Sequence, residues 1–283
     1  MAAGDLPATG RRCGRMAALI RYFLTRAIAD RLITAWPFML TGIGALALGV
    51  GQAMMAEQGE ASITFLAAGS RLALVLLIVA YTSIWIARDF ESKEIELLTS
   101  RAASRLDLLL AMLVTILLLA AAMAAPLPLM ALLFGLFAAR GHRPLDGLVL
   151  WTVTLAIEAA LAGTLALFVS LALPNPVIAM SVTFGWYLLA RLSGTLLGTA
   201  GIAGEGQEAL IAPAGSGDAG MVLDAGMHLL ALVLPRLDLM AQSDWLVHGP
   251  ATGTALFPTM LQCLVHGALL ATAAFIDFRR RAF

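Results

Sequence analysis

Long apolar runs separated by short polar segments divide the chain, and six of these runs are long enough to cross a membrane. A helix needs about 20 apolar residues to cross about 30 Å of hydrocarbon. We therefore predict an all-α fold, an integral membrane bundle of six transmembrane helices. The predicted spans are Leu32–Ala56, Ile63–Ala87, Leu106–Ala139, Leu148–Leu173, Val177–Ala200 and Phe257–Phe278.

The third run is too long to cross a bilayer without tilt or a break. Pro126 and Pro128 predict a break there, because each proline lacks a backbone donor and distorts the preceding turn. Between the fourth and fifth runs the connection is only Pro174-Asn175-Pro176.

Two segments outside these spans carry their own pattern. Residues 1–15 are small and polar and are interpreted as a disordered tail. Met16–Arg31 places apolar residues on one helical face and arginines on the other, which predicts a helix lying in the membrane interface. Residues 1–31 are thus a cytoplasmic tail with an interfacial helix, and 32–283 form the transmembrane domain.

The region 201–256 is predicted to be an external loop with a half-crossing segment. Residues 201–220 are rich in glycine, and Met221–Leu234 is apolar but too short to span, so it is predicted to be re-entrant or interfacial. The run Pro235–Leu239, followed by Trp245, resembles a turn anchored at the interface. Four tryptophans are expected in interfacial belts, namely Trp36, Trp85, Trp186 and Trp245.

Composition supports the membrane assignment and excludes several functions. The 283 residues are 60% hydrophobic and 13% charged, whereas a soluble domain carries about 25% charged residues. A net charge of zero and the lack of a long basic run argue against nucleic-acid binding. Two cysteines and four scattered histidines provide neither a disulfide framework nor a metal site. We expect no catalytic residues and no cofactor bound by this chain.

The distribution of positive charge predicts that both termini are cytoplasmic, since cytoplasmic loops are enriched in Lys and Arg. With that orientation the cytoplasmic side carries Arg11, Arg12, Arg15, Arg21, Arg26, Arg31, Arg88, Lys93, Arg101, Arg105, Arg279, Arg280 and Arg281. The external side carries only Arg140, Arg143 and Arg236.

The cytoplasmic loop 88–107 holds the densest group of charges in the chain, with the sequence RDFESKEIELLTSRAASRLD. The acidic residues before Leu97 and Leu98 predict a short helix, and Ser104 with Asp107 forms a capping box for the third span. A short acidic helix with two leucines is suited to docking against another protein; the alternative is a solvated connector.

This loop resembles the signature of ABC-type-2 permeases, the membrane subunits of ATP-driven exporters. In that family an acidic residue precedes an E-x-L-L helix and a small-residue turn that leads into the third span. The resemblance implies that a cytoplasmic ABC ATPase docks here and that a second permease copy or a paralogue completes the pore. The matching positions are Glu91, Glu94, Glu96, Leu97, Leu98, Ser104 and Arg105. Lys93 and Ala102 depart from the family's usual Gly and Pro.

The chain has no GxxxxGK[ST] motif, so ATP is expected to act through the partner. The expected function is therefore export of a hydrophobic or amphipathic substrate across a bacterial inner membrane. A secondary transporter that needs no ATPase and a membrane scaffold without transport remain as alternatives. An intramembrane enzyme is disfavoured because no predicted span holds an Asp before Asp277.

Three charged residues lie inside predicted spans, where charge is costly and faces a bundle interior or water. They are Arg71, Glu158 and Arg191. One interpretation is that they line a polar path or contact an anionic headgroup. The other, which we favour for the arginines, is a structural Arg–Glu pair, or an Arg71 that extends to the interface.

Overall fold

The computed structural model describes residues 8–54, 58–93, 104–138, 145–199, 234–250 and 256–280, and side chains within them except 8–13, 58, 135–138 and 194–199. Its regular structure over these residues is entirely helical. The helices are α1 Ala8–Ala29, α2 Arg31–Thr34, α3 Trp36–Ala53, α4 Gln58–Glu91, α5 Arg105–Ala124, α6 Leu127–Ala138, α7 Leu145–Ala172, α8 Pro176–Thr199 and α9 Leu256–Arg280.

Six helical stretches within the described ranges are long and apolar enough to cross a membrane. They are Arg31–Ala53, Gly59–Glu91, Arg105–Phe134, Leu145–Ala172, Pro176–Ser193 and Leu256–Arg280. The predicted all-helical bundle of six spans is confirmed at this level. Large apolar side chains such as Phe38, Leu46, Leu264 and Leu269 are exposed on its outer surface, as expected for a surface that faces hydrocarbon rather than water.

Helix α7 is the central element, because α4, α5, α8 and α9 all pack against it. Gly163 allows α7 to cross α4 and α5 at short distance. A Cβ at this position would lie 2.5 Å from Ile116 Cγ2 on α5 and 2.9 Å from Ile78 Cγ2 on α4. Glycine therefore lets the backbones of three helices approach at one level of the bundle.

Local sequence accounts for the helix ends. Ser104 caps α5, and its hydroxyl accepts a 3.1 Å hydrogen bond from the Asp107 amide, which confirms the predicted cap. Asn175 caps α8 by accepting from the Val177 amide at 2.9 Å. The predicted break in the third span is also confirmed, since α5 ends before Pro126 and α6 begins at Leu127.

Two sequence predictions were wrong. The tail interpretation fails over residues 8–15, because α1 already begins at Ala8. The interfacial tryptophans were also misplaced: Trp36, Trp85 and Trp245 are buried inside the protein.

Other parts of the chain contact the buried indoles of Trp36 and Trp85. The Trp36 Nε1 donates a 3.0 Å hydrogen bond to the carbonyl of Met123 near the Pro126 break. Trp85 packs against Phe23 of α1, with ring centroids 5.1 Å apart. A proline break exposes backbone acceptors, and an indole donor satisfies one of them.

The crossing at Gly163 gives the first prediction. Gly163→Ala should destabilise the bundle by about 1–3 kcal/mol, because the methyl group would overlap two β-branched side chains that cannot move away cheaply. The melting temperature of the detergent-purified protein measures this effect. Gly185→Ala is the matched control, since a Cβ there meets nothing within 4 Å. Equal melting temperatures for the two variants would contradict the packing argument.

Candidate functional site

Glu158 is a fully buried carboxyl group on α7, inside the membrane-spanning part of the bundle. Its Oε1 accepts a 2.8 Å hydrogen bond from the Tyr187 hydroxyl on α8. Its Oε2 lies 3.8 Å from Nη1 of Arg191, also on α8. Tyr187 and Arg191 are four residues apart and share one helix face, so α8 supplies both partners of this carboxyl.

Arg191 has a second set of partners outside the helices. Its Nη1 donates to the carbonyl of Leu237 and, at 2.7 Å, to that of Met240. Arg71 of α4 donates from Nη1 to the next carbonyl, that of Ala241, at 2.9 Å. Two arginines from different spans therefore hold one short stretch of backbone. We call residues 237–241 the buried turn, and Arg71, Glu158 and Arg191 the charge cluster.

The buried turn is fixed by further polar contacts. The Ala241 amide donates to Thr154 Oγ1 of α7 at 3.2 Å, and Ser193 Oγ of α8 donates to Asp238 Oδ1 at 3.3 Å. Ala241 has a φ of 45°, a left-handed conformation that non-glycine residues seldom adopt. Both backbone groups of this strained residue are thus held by side chains of the bundle.

Apolar contacts bury the rest of the segment 234–250. Trp245 is 1% exposed, and its carbonyl lies against Gly147 at the start of α7, where a Cβ would clash with it. Met240 Sδ lies 3.2 Å from Cys263 Sγ on α9. The turn predicted at the interface is therefore packed inside the protein against α4, α7, α8 and α9, because buried arginines need acceptors that the apolar spans do not supply.

A second polar cluster lies where α1 meets the end of α4. Arg26 Nη1 lies 2.7 Å from Asp89 Oδ1, and Arg88 Nη1 lies 3.0 Å from Asp30 Oδ2. Arg26 of α1 and Asp30, which directly follows α1, are four residues apart, while the α4 partners are adjacent. Asp30 also caps α2 by accepting from the Leu32 amide. The ion pairs thus join α1, the start of the first span and the end of α4.

Three of the residues predicted to dock an ATPase, Glu91, Ser104 and Arg105, belong to the described ends of α4 and α5. Glu91 is an exposed residue at the end of α4, and Ser104 caps α5. Arg105, the first residue of α5, donates from Nη1 to the carbonyl of Arg279 on α9 at 3.2 Å. The other four positions lie outside the described residues: Glu94, Glu96, Leu97 and Leu98.

The structure brings the charge cluster together and separates it from Glu91, the predicted docking residue at the end of α4. Arg71 and Glu91 are on the same helix, and 20 residues at 1.5 Å each separate them by about 30 Å. Sequence reasoning missed Tyr187 and Thr154 as partners of the cluster. A usable signal existed, since each lies four residues before a charged residue of the cluster, on the same helix face.

Comparison with known proteins finds no family model that matches the chain and no significantly similar curated protein. The chemistry of the cluster is therefore argued from its residues. Arg71 and Arg191 are permanent cations with fixed donor geometry, and both point at carbonyl oxygens. Among the described residues, no three His, Cys, Asp or Glu side chains converge as metal ligands. The arrangement is suited to binding oxygen-rich groups.

The pair of Glu158 and Arg191 gives the second prediction. Arg191→Met should destabilise the protein by about 3–5 kcal/mol, because it leaves a buried carboxylate without its cation. Glu158→Gln in the same chain should recover part of that loss, since the amide oxygen can still accept from Tyr187. Thermal unfolding in detergent of the single and double variants measures the coupling; purely additive losses would show that the pair does not interact.

Proposed function

We propose that the protein is the transmembrane permease subunit of an ABC exporter, which couples ATP hydrolysis by a separate cytoplasmic ATPase subunit to export of a hydrophobic or amphipathic substrate. The observation that carries the proposal is the set of contacts that join α1 to the end of α4 and the start of α5 to the end of α9. The end of α4 and the start of α5 flank the loop between them in sequence. This loop contains the sequence Glu94-Ile95-Glu96-Leu97-Leu98, which resembles the family's E-x-L-L helix.

The contacts around the loop support a mechanical role for it. Arg26–Asp89 and Asp30–Arg88 tie α1 to the end of α4, and Arg105 ties the start of α5 to the end of α9. Four helices therefore respond together to a force applied between residues 91 and 104. A connector without a partner needs no such bracing, whereas a docking loop that transmits ATP-driven movement does.

Asp89, the buried carboxylate of these ion pairs, is suited to transmitting force from the loop to α1. Asp89 is fully buried while its partner Arg26 is about one-third exposed. Removing one member of such a pair leaves an uncompensated charge, so the contact resists separation. Movement of the loop would then carry α1 along instead of pulling the helix away from α4.

The membrane arrangement follows from the same proposal. Helix α1 lies in the cytoplasmic interface with its arginines toward water, and both termini are cytoplasmic, in agreement with the excess of Lys and Arg on that side. The segment Met221–Leu234, predicted to be re-entrant or interfacial on the external side, lies outside the described residues except for Leu234. The protein resides in a bacterial inner membrane, and a second permease copy or paralogue packs against the exposed apolar helices.

The docking proposal predicts that Glu94→Ala, Glu96→Ala and Leu97→Ala together abolish co-purification of a stoichiometric ATPase subunit in detergent. The acidic and leucine side chains would form the interface, so their loss removes both charge and apolar contact. The control is Asp244→Ala combined with His248→Ala, because this exposed ion pair belongs to the segment 234–250 and not to the loop between α4 and α5. Purification of the unaltered chain alone, with ion-driven transport in liposomes, would refute the proposal.

Arg105→Glu should separate assembly from coupling. The variant removes the hydrogen bond to the Arg279 carbonyl and puts a negative charge beside the C-terminal end of α9, where the helix dipole favours cations. We expect the free energy of unfolding to change by less than about 1 kcal/mol, as measured by thermal unfolding, because exposed contacts are weak. ATP-dependent export from cells that express the complex should fall several-fold. Export at the original rate would contradict the coupling role.

A further inference from the structure

The buried turn places backbone oxygens where an anionic ligand would place its own. Arg71 and Arg191 donate hydrogen bonds to three carbonyls of the turn, those of Leu237, Met240 and Ala241. These are all the described hydrogen bonds that the two arginines make with residues outside the charge cluster. Carbonyl oxygens carry only partial charge, so they are weaker acceptors for guanidinium than phosphate oxygens, which bind arginine with charge assistance and often in bidentate geometry.

The cluster carries one more positive than negative group. Glu158 faces Arg191, and its other oxygen is occupied by Tyr187, while Arg71 has no carboxylate partner among its described contacts. A buried excess cation is costly unless an acceptor compensates it. The turn satisfies the hydrogen bonds of the arginines through neutral carbonyls, and its one carboxylate, Asp238, is paired with Arg236 at 2.9 Å. An anion at the site would add the negative charge that these carbonyls lack.

The turn itself is held under strain. Ala241, whose carbonyl accepts from Arg71, has a φ of 45° in a fully buried position. A conformation of this kind costs about 1–3 kcal/mol and persists only when its surroundings impose it. Withdrawal of the turn would relax this residue and free the donors of both arginines at the same time.

We infer that Arg71 and Arg191 form a binding site for the phosphate group of an anionic amphiphile, and that the buried turn occupies this site until the ligand displaces it. The apolar helices that surround the site suit acyl chains. Identifying this ligand as the exported substrate rests on the proposed function. Its binding does not, because the isolated chain contains every residue of the site.

The first test measures binding of dilauroyl phosphatidic acid to the full-length protein in phosphatidylcholine nanodiscs. Arg71→Gln, and Arg191→Gln combined with Glu158→Gln, should each weaken binding about tenfold, the value of one charge-assisted hydrogen bond. Arg236→Gln is the control: it removes a cation next to the turn, but one paired with Asp238 at 2.9 Å. Equal affinity in all four proteins would overturn the inference.

The competing ligands separate the headgroup from the lipid. Dilauroylglycerol has the same chains without phosphate and should not compete with phosphatidic acid. Inorganic phosphate in excess should compete only weakly, because it lacks the chains. If inorganic phosphate competes as well as the lipid does, the site binds a free anion and the amphiphile assignment is wrong. If dilauroylglycerol competes as well as phosphatidic acid, the arginines do not recognise the phosphate headgroup and the inference is wrong.

A thiol lock tests displacement of the turn without altering the arginines. Met240→Cys, made with Cys13→Ser, puts a thiol on the turn at the residue that contacts Cys263 of α9. The Met240 Sδ, one bond further from the backbone than a cysteine sulfur, lies 3.2 Å from Cys263 Sγ. Oxidation to the disulfide, monitored by thiol titration, should lower phosphatidic acid affinity about tenfold, and dithiothreitol should restore it. Cys263→Ser in the same chain removes the oxidation effect. Unchanged affinity in the oxidised protein would show that the turn need not move, and if no disulfide forms, the arginine variants decide.

A failure of these binding tests leaves the permease proposal intact, since that proposal depends on ATPase co-purification. If the unaltered protein binds phosphatidic acid but co-purifies with no ATPase subunit, the permease proposal is refuted and the binding site stands. The two sets of measurements therefore fail independently.

Discussion

The cost of keeping charge inside an apolar bundle determines how this protein is built. Glu158 is fully buried at the level of the spans, and an unpaired carboxylate there would destabilise the fold by several kcal/mol. Arg191 and Tyr187 compensate it from one face of α8. Arg191 has further hydrogen-bond donors that also need acceptors. The carbonyls of the spanning helices already accept hydrogen bonds from amides of the same helix, so they do not supply these acceptors.

The buried turn resolves that second requirement. Residues 240–242 are non-helical, so the carbonyls of Met240 and Ala241 are available to Arg191 and Arg71, while the carbonyl of Leu237 also accepts from the Met240 amide. Irregular backbone at this depth is tolerated because protein surrounds it. Each contact that buries the turn therefore follows from the charges beneath it. The same dependence makes the turn replaceable: any group that offers oxygens and negative charge satisfies the arginines at least as well.

Sequence patterns predicted the helices well because apolar length and capping are local properties. The six spans, the Pro126 break and the Ser104 cap all depend on residues close in the chain. The partners of Glu158 and the position of Trp245 depend on contacts between segments far apart in sequence, with separations of 29 and about 100 residues. A tryptophan suits an interfacial belt and a buried contact equally well, so its type alone could not distinguish them.

Helix α4 connects the two polar clusters through one of its faces. Arg71 and Asp89 are 18 residues apart, which is five turns of 3.6 residues, and Ile78 lies between them on nearly the same face. Arg71 holds the buried turn, Ile78 packs on Gly163 of α7, and Asp89 pairs with Arg26 of α1. Because a helix is stiff along its axis, an axial shift of α4 that begins at Asp89 moves the Arg71 guanidinium relative to the carbonyl of Ala241. The tight crossing at Gly163 leaves little room for α4 to tilt instead, so force applied near the α4–α5 loop reaches the buried turn as displacement of Arg71.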